Sequence, residues 1–213
     1  MLLISPSVRN SINLIKNHDE AIARWISHVI SPHIVGVVIT SVMAIQFSHN
    51  PLEVIGWLIV LMPLLVVPPL AYLLWLVRMG KVADIYLPKR ETRLRPLTVV
   101  LAWLLLCLGL IRYWAAPPLV EVFVLSAIIL VGILSLVTFF WKISFHGATI
   151  TAAAMATVMI TGSSAWPVML LVPLVGWSRI RLERHTPQQV IFGSLVGALV
   201  ALILAQGALL RLL

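Results

Sequence analysis

Six stretches of this chain contain no Asp, Glu, Lys or Arg: residues 25–52, 54–77, 96–111, 122–141, 143–178 and 185–210. A run of about 20 apolar residues wound as a helix spans the hydrocarbon core of a bilayer. In lipid only helices and closed barrels satisfy their own backbone. These runs are too long for barrel strands, so they predict an all-α, polytopic transmembrane bundle of six to seven spanning helices. Composition agrees: charged residues are 10% of the chain, against about 25% in soluble domains, and the mean hydropathy is +1.07. An ordinary soluble globule, a disordered chain and a disulfide-built module are excluded. Cys107 is the only cysteine, so it has no intrachain disulfide partner. No cleavable signal peptide is expected, because the first residues lack a basic start followed by an apolar core.

The punctuation divides the runs. The first 32 residues alternate Val8, Ile12, Ile15, Ile22 and Ile26 with Arg9, Lys16, Asp19, Glu20 and Arg24. They predict an amphipathic helix, either lying at the membrane interface or packed on the bundle with a solvated face. Residues 33–213 form the bundle. Spans are expected at about 33–48, 54–77 (kinked by Pro63, Pro68 and Pro69), 97–115 and 119–140, with Pro117-Pro118 as a tight turn. The stretch 143–178 is too long for one crossing. Gly162-Ser163-Ser164-Ala165-Trp166-Pro167 breaks it into a hairpin of about 147–162 and 167–178. The first arm is nearly all small residues, which let helices approach closely in lipid, so it is expected at the centre. A last helix of about 187–210 starts with Thr186 as its cap and Pro187 at its first position.

If each span crosses once, thirteen of the fifteen cations share one side, and Arg112 and Arg211 fall on the other. Positive loops favour the cytoplasm. Setting aside Lys89, Arg90, Arg93, Arg95, Arg179 and Arg181 as candidate ligands, the split is still seven to two, so this face is expected to be cytoplasmic.

Three clusters on that face carry the polar chemistry. Asp84 to Pro96 holds Lys89, Arg90, Arg93 and Arg95; by itself it reads as an anchor or an anionic-lipid contact. Trp141 to Gly147 holds Ser144 and His146 at a predicted helix start, where free N–H groups favour an anion. Trp177 to Gln189 holds Arg179, Arg181, Arg184 and His185. Two imidazoles and several cations converging from three loops suit phosphoryl transfer. One His attacks phosphorus, the other protonates the leaving oxygen, and the arginines hold the remaining oxygens. No Asp/Glu cluster or Cys/His spacing suggests a metal, and no cofactor or nucleic acid is expected.

At these residues the chain resembles the type 2 phosphatidic acid phosphatase superfamily. Ser178-Arg179, five residues and His185 match its third motif, SRxxxxxHxxxD, with Gln189 at the Asp position. Ser144-Phe145-His146 looks like its second motif, PSGH, with Ile143 for Pro and Phe145 for Gly. Residues 81–96 look like the first, KxxxxxxRP, with Lys89 six residues before Arg95-Pro96 rather than seven. The resemblance covers about 81–205. It implies His185 as the nucleophile, His146 as the general acid, and Ser144, Arg179 and some of Lys89, Arg90, Arg93 and Arg95 as phosphoryl ligands. Gln189 accepts a hydrogen bond from the His ring but lacks a carboxylate's charge. Lower activity than in a full-motif member is therefore expected, or help from Glu183.

The expected function is a membrane lipid phosphatase acting on a lipid phosphate or diphosphate, of isoprenoid or phosphatidic acid type, through a phosphohistidine. Its partners would be that substrate and the surrounding membrane lipids. A cytoplasmic site suits an intermediate made inside the cell over a carrier released outside. The alternative is a catalytically degenerate lipid-phosphate-binding or assembly protein. A small transporter is disfavoured, because Arg112 and Glu121 lie near helix ends and no polar path crosses the spans.

Overall fold

The computed structural model describes the backbone of residues 6–87 and 89–212, with side chains from residue 17 to 207 apart from Phe47 and Pro88. The first five residues and the side chains of Arg9, Lys16 and Arg211 therefore lie outside the described residues. All regular structure among the described residues is helical. The helices are α1 (Pro6–Val29), α2 (Pro32–Phe47), α3 (Pro51–Leu61), α4 (Val67–Arg78), α5 (Leu94–Tyr113), α6 (Pro118–Phe140), α7 (Phe145–Thr161), α8 (Leu171–Arg181) and α9 (Pro187–Leu212).

Four described helices are long and apolar enough to cross a membrane: Pro51–Arg78, Arg90–Tyr113, Pro118–Phe140 and Pro187–Gly207. A fifth crossing arises if α1 and α2, bent by 44° between Val29 and Pro32, count as one broken span. The expected six to seven is not reached on length and composition. The reason is physical: α7 has 17 residues and α8 has 11, and at 1.5 Å per residue neither covers the ~30 Å hydrocarbon core.

Capping sets several helix starts. Ser31 accepts from the Ile34 N–H, Asn50 from the Glu53 N–H and Ser144 from the Gly147 N–H, and Pro occupies the first turn of α2, α3 and α6. The prolines of the second run bend it without ending it. Between α3 and α4 the helix loosens into a π turn at Met62–Val66. Pro68 has no N–H to donate, which frees the Leu64 carbonyl four residues earlier. Helix α5 supplies the replacements: the Trp103 indole N–H donates to Leu64 O at 2.7 Å and the Cys107 thiol at 3.4 Å.

The centre of the molecule is the pairing of α7 with α9. Gly193 lies where a Cβ would stand 2.5 Å from the Ser144 carbonyl oxygen, and a Cβ on Gly197 would run into the Ala148 carbonyl. The two glycines sit four residues apart and face the small residues of α7, so the backbones touch directly. The hairpin reverses at Gly162, whose φ of +95° suits glycine. It returns through a 3-10 stretch, Ser163–Leu170, into α8. Helix α1 lies on α8, burying Ala23 and Ile26 while Trp25 stays 65% exposed. Arg181 fastens the pair through Asp19 and Glu20, each at 3.9 Å.

Candidate active site

The charged end of the bundle gathers residues from five elements. From α8 comes Arg179, buried one turn from the helix end; Ser178 beside it bonds back to Val175 O and faces inward. The loop after α8 turns sharply at Glu183, with φ +54°, and brings the His185 N–H onto Arg179 O at 3.3 Å. His185 is thereby buried beside the guanidinium, at 7% exposure.

Gln189, in the first turn of α9, holds the His185 ring. Its side-chain oxygen accepts from the Thr186 N–H at 3.3 Å and lies 3.0 Å from His185 Nδ1. A shared acceptor requires Nδ1 to carry the proton, which leaves the Nε2 lone pair free. Burial, followed by the charges of Arg93 and Arg179, lowers the His185 pKa to about 3 despite the Gln189 bond. The ring is therefore neutral at physiological pH. The same cationic surroundings, after burial, depress Lys142.

The second motif is tied to the third through the backbone: the Ser144 N–H donates to Gln189 O at 3.2 Å. Ser144 is completely buried, and its hydroxyl oxygen caps α7. His146, in the first turn of α7 and 4% exposed, donates from Nε2 to the Ser27 carbonyl at 3.2 Å.

Of the four cations at and before the start of α5, one is drawn in. Arg93 is 2% exposed, donates to Leu87 O at 2.7 Å and to Ile143 O at 3.0 Å, and lies over the Phe145 ring. Arg90 closes the end of α6 by donating to Phe140 O at 2.8 Å and Phe139 O at 3.3 Å. Lys89 and Arg95 are exposed. Glu183 is also exposed, and the described partner of His185 is Gln189.

The structure adds residues that sequence reasoning missed. Ser27, near the end of α1, accepts from His146 through its carbonyl and from Arg179 Nη1 through its hydroxyl. Tyr86 stacks obliquely on His146, ring centres 5.7 Å apart, and its hydroxyl is bonded to His28 Nδ1 at 2.6 Å. Their signal in the sequence is weak: Tyr86 belongs to the basic cluster, but Ser27 and His28 are ordinary residues of an amphipathic helix.

Arg93 and Arg179 have no salt bridge among the described residues, and Arg179 Nε, fully buried, has no hydrogen-bond partner. Buried cations without a counterion are costly; an anion of tetrahedral oxygens would supply the missing acceptors. No group of three His, Cys, Asp or Glu among the described residues is placed to hold a metal.

Comparison with known proteins bears on the same residues. No curated protein and no solved structure matches the chain. Residues 135–211, about a third of the chain and the stretch that holds Ser144, His146, Arg179, His185 and Gln189, match the family model of the PAP2 superfamily, consistent with a member of that superfamily.

Proposed function

We propose that the protein is an integral membrane phosphatase that removes phosphate from a lipid phosphate or diphosphate through a phosphohistidine. The observation that carries this reading is His185: a neutral imidazole with Nδ1–H fixed by Gln189 and the Nε2 lone pair free, beside two buried guanidiniums that make no salt bridge among the described residues. Nε2 attacks phosphorus, and the bond from phosphorus to the lipid oxygen breaks. His146, protonated once the phosphate's negative charge offsets its burial and the Arg179 charge that otherwise favour the neutral ring, gives a proton to the departing oxygen and is left neutral. Water then attacks the phosphohistidine, His146 takes the water's proton, and His185 is released with inorganic phosphate. Arg93 and Arg179 hold the equatorial oxygens and offset the charge that grows on them. The His146 Nε2–H is bonded to the Ser27 carbonyl, and the leaving oxygen takes over that hydrogen bond.

Gln189 supports a second reading, a lipid-phosphate-binding protein that does not turn over. A carboxylate there would stabilise the imidazolium-like transition state, and an amide does not. Phosphate release from a panel of isoprenyl phosphates, isoprenyl diphosphates and phosphatidic acid decides between them. Turnover lost in both His185→Ala and His146→Ala, with an acid-labile phosphoenzyme in wild type, supports the enzyme. Phosphate-sensitive binding without release supports the binder. The site is assigned to the cytoplasmic face on loop charge. A cysteine at Thr92 that reacts with an impermeant reagent in intact cells would overturn that orientation.

A further inference from the structure

A cavity of about 250 Å³ lies inside the bundle, between α2, the π turn, α5, α6, α7 and α9. Its lining is overwhelmingly apolar. It adjoins the site in two ways. Pro32 and His33 line it at the start of α2, directly after the segment whose Ser27 binds His146 and Arg179. Thr149, Ala153 and Ala156 also line it, and with His146 they recur at the three- and four-residue spacing of one helix face. The face of α7 that carries the proposed acid therefore continues into the cavity wall.

At the end away from the site, Met43, Phe123 and Leu204 line the cavity and pack around Ala156. Ala156 is ten residues beyond His146, ~15 Å along the helix axis, or about half the hydrocarbon thickness. The outer wall is formed by Leu65, Val66 and Pro69 of the bent span.

We infer that this cavity binds the hydrocarbon chain of the substrate, that it takes a single chain, and that Phe123, Met43 and Leu204 set the chain length accepted. This rests on the phosphatase reading of the adjoining site and narrows it. Sites for drug-sized ligands occupy ~300–1,000 Å³. A cavity of about 250 Å³, just below that range, suits one chain and not the pair carried by a diacyl phosphate. The substrate class is a single-chain lipid phosphate, whether isoprenyl or monoacyl.

The test uses the full chain in detergent with alkyl and isoprenyl monophosphates of increasing length, a diacyl phosphatidic acid, and phenyl phosphate as a chainless reference. Wild type should prefer single chains, with kcat/KM rising and then falling with length. Ala153→Phe should lower the ratio of kcat/KM for a long chain to that for phenyl phosphate by about tenfold, the scale on which hydrophobic pockets discriminate. Phe123→Ala should move the optimum to longer chains, and it carries the test if Ala153→Phe does not fold. An unchanged length profile in Phe123→Ala, or diacyl substrate used as well as single-chain, overturns the inference.

A single-chain phosphate with a photoreactive group at its tail separates the two levels of the argument. Labelling at the Met43, Phe123 and Leu204 end in a protein that releases no phosphate keeps the cavity and refutes the phosphatase. Phosphate release with labelling elsewhere does the reverse.

Discussion

Two spans of the chain, Pro51–Arg78 and Pro187–Gly207, are almost equally apolar and packed very differently. In the Pro51–Arg78 span 6% of the most apolar window is buried in the protein; in Pro187–Gly207 the figure is 39%. Both have a mean hydropathy above 2. Hydropathy reports what lipid accepts and is silent on which helices touch. The contact is made by small residues: Gly193 and Gly197 against α7, and nothing comparable in α3, where a Cβ on Gly56 would meet open space. The tight pair carries His146 and leads directly from His185, while the loose span walls the cavity. Close packing surrounds the two histidines, and the sparsely buried span lines the cavity.

The largest expected difference between the regions is catalytic. His185→Ala should reduce phosphate release to background, and His146→Ala should reduce it ~10²–10⁴-fold, the range of general acid catalysis. Leu74→Ala, on the lipid-exposed side of α4, should leave turnover within a factor of about two. Comparable losses in all three would remove the functional contrast.

Stability comes next. Gly197→Ala forces a methyl into the Ala148 carbonyl and should cost ~1–3 kcal/mol as overpacking. Gly56→Ala should be neutral, or stabilising by up to ~1 kcal/mol through helix propensity. Thermal unfolding in one detergent compares them, and equal shifts would show that the α7–α9 contact is not tight.

Gln189→Asp sharpens the contrast within the site. A carboxylate facing Nδ1 in place of the amide would raise the His185 pKa from about 3 and move the acid limb of the pH–rate profile upward. Turnover should rise severalfold near neutral pH. In wild type the folded pKa lies below the ordinary His value of 6.5. Between these values the unfolded chain binds more protons, so stability is greatest above 6.5 and falls as pH drops toward 3. In Gln189→Asp this window should narrow from its acid side. A pH profile identical to wild type would disprove the proposed coupling.

The smallest effect belongs to the loose region. Trp103→Phe removes the main donor to Leu64 O and should cost ~1 kcal/mol. A loss of several kcal/mol would mean that the bent span is held as firmly as α9.

The sequence made the helix boundaries legible, because lipid penalises a charge or an open backbone wherever a span is interrupted. Predicted spans 54–77 and 119–140 are observed as spans 51–78 and 118–140, and predicted 33–48 as the helix 32–47, which counts as a span only together with α1. Proline identified the bend in the second span, though not its π turn or the two donors from α5. The site was legible to the degree that its motif was local. Arg179, His185 and Gln189 are set by one short loop. The choice among Lys89, Arg90, Arg93 and Arg95 was not legible. Two residues along a helix are ~200° apart around its axis, so the 3-10 turn at Arg90–Thr92 turns Arg93 inward and leaves Arg95 outside. Ser27 was invisible for a different reason: it meets Arg179 across 152 residues of chain, and no periodicity encodes such a meeting. Of the two readings of α1, the structure shows the bundle-packed one, with Ala23 and Ile26 against α8 and Trp25 outward.

Ser27 has a practical consequence for anyone excising a minimal catalytic unit. A fragment cut to the family-matched stretch retains both histidines and Arg179, yet deprives His146 of its carbonyl acceptor and Arg179 of its hydroxyl. Such a fragment would preserve every motif residue of its second and third clusters while the proposed acid loses its anchor. The first helix, for all its resemblance to a detachable membrane tether, belongs in any fragment made to test the proposed chemistry.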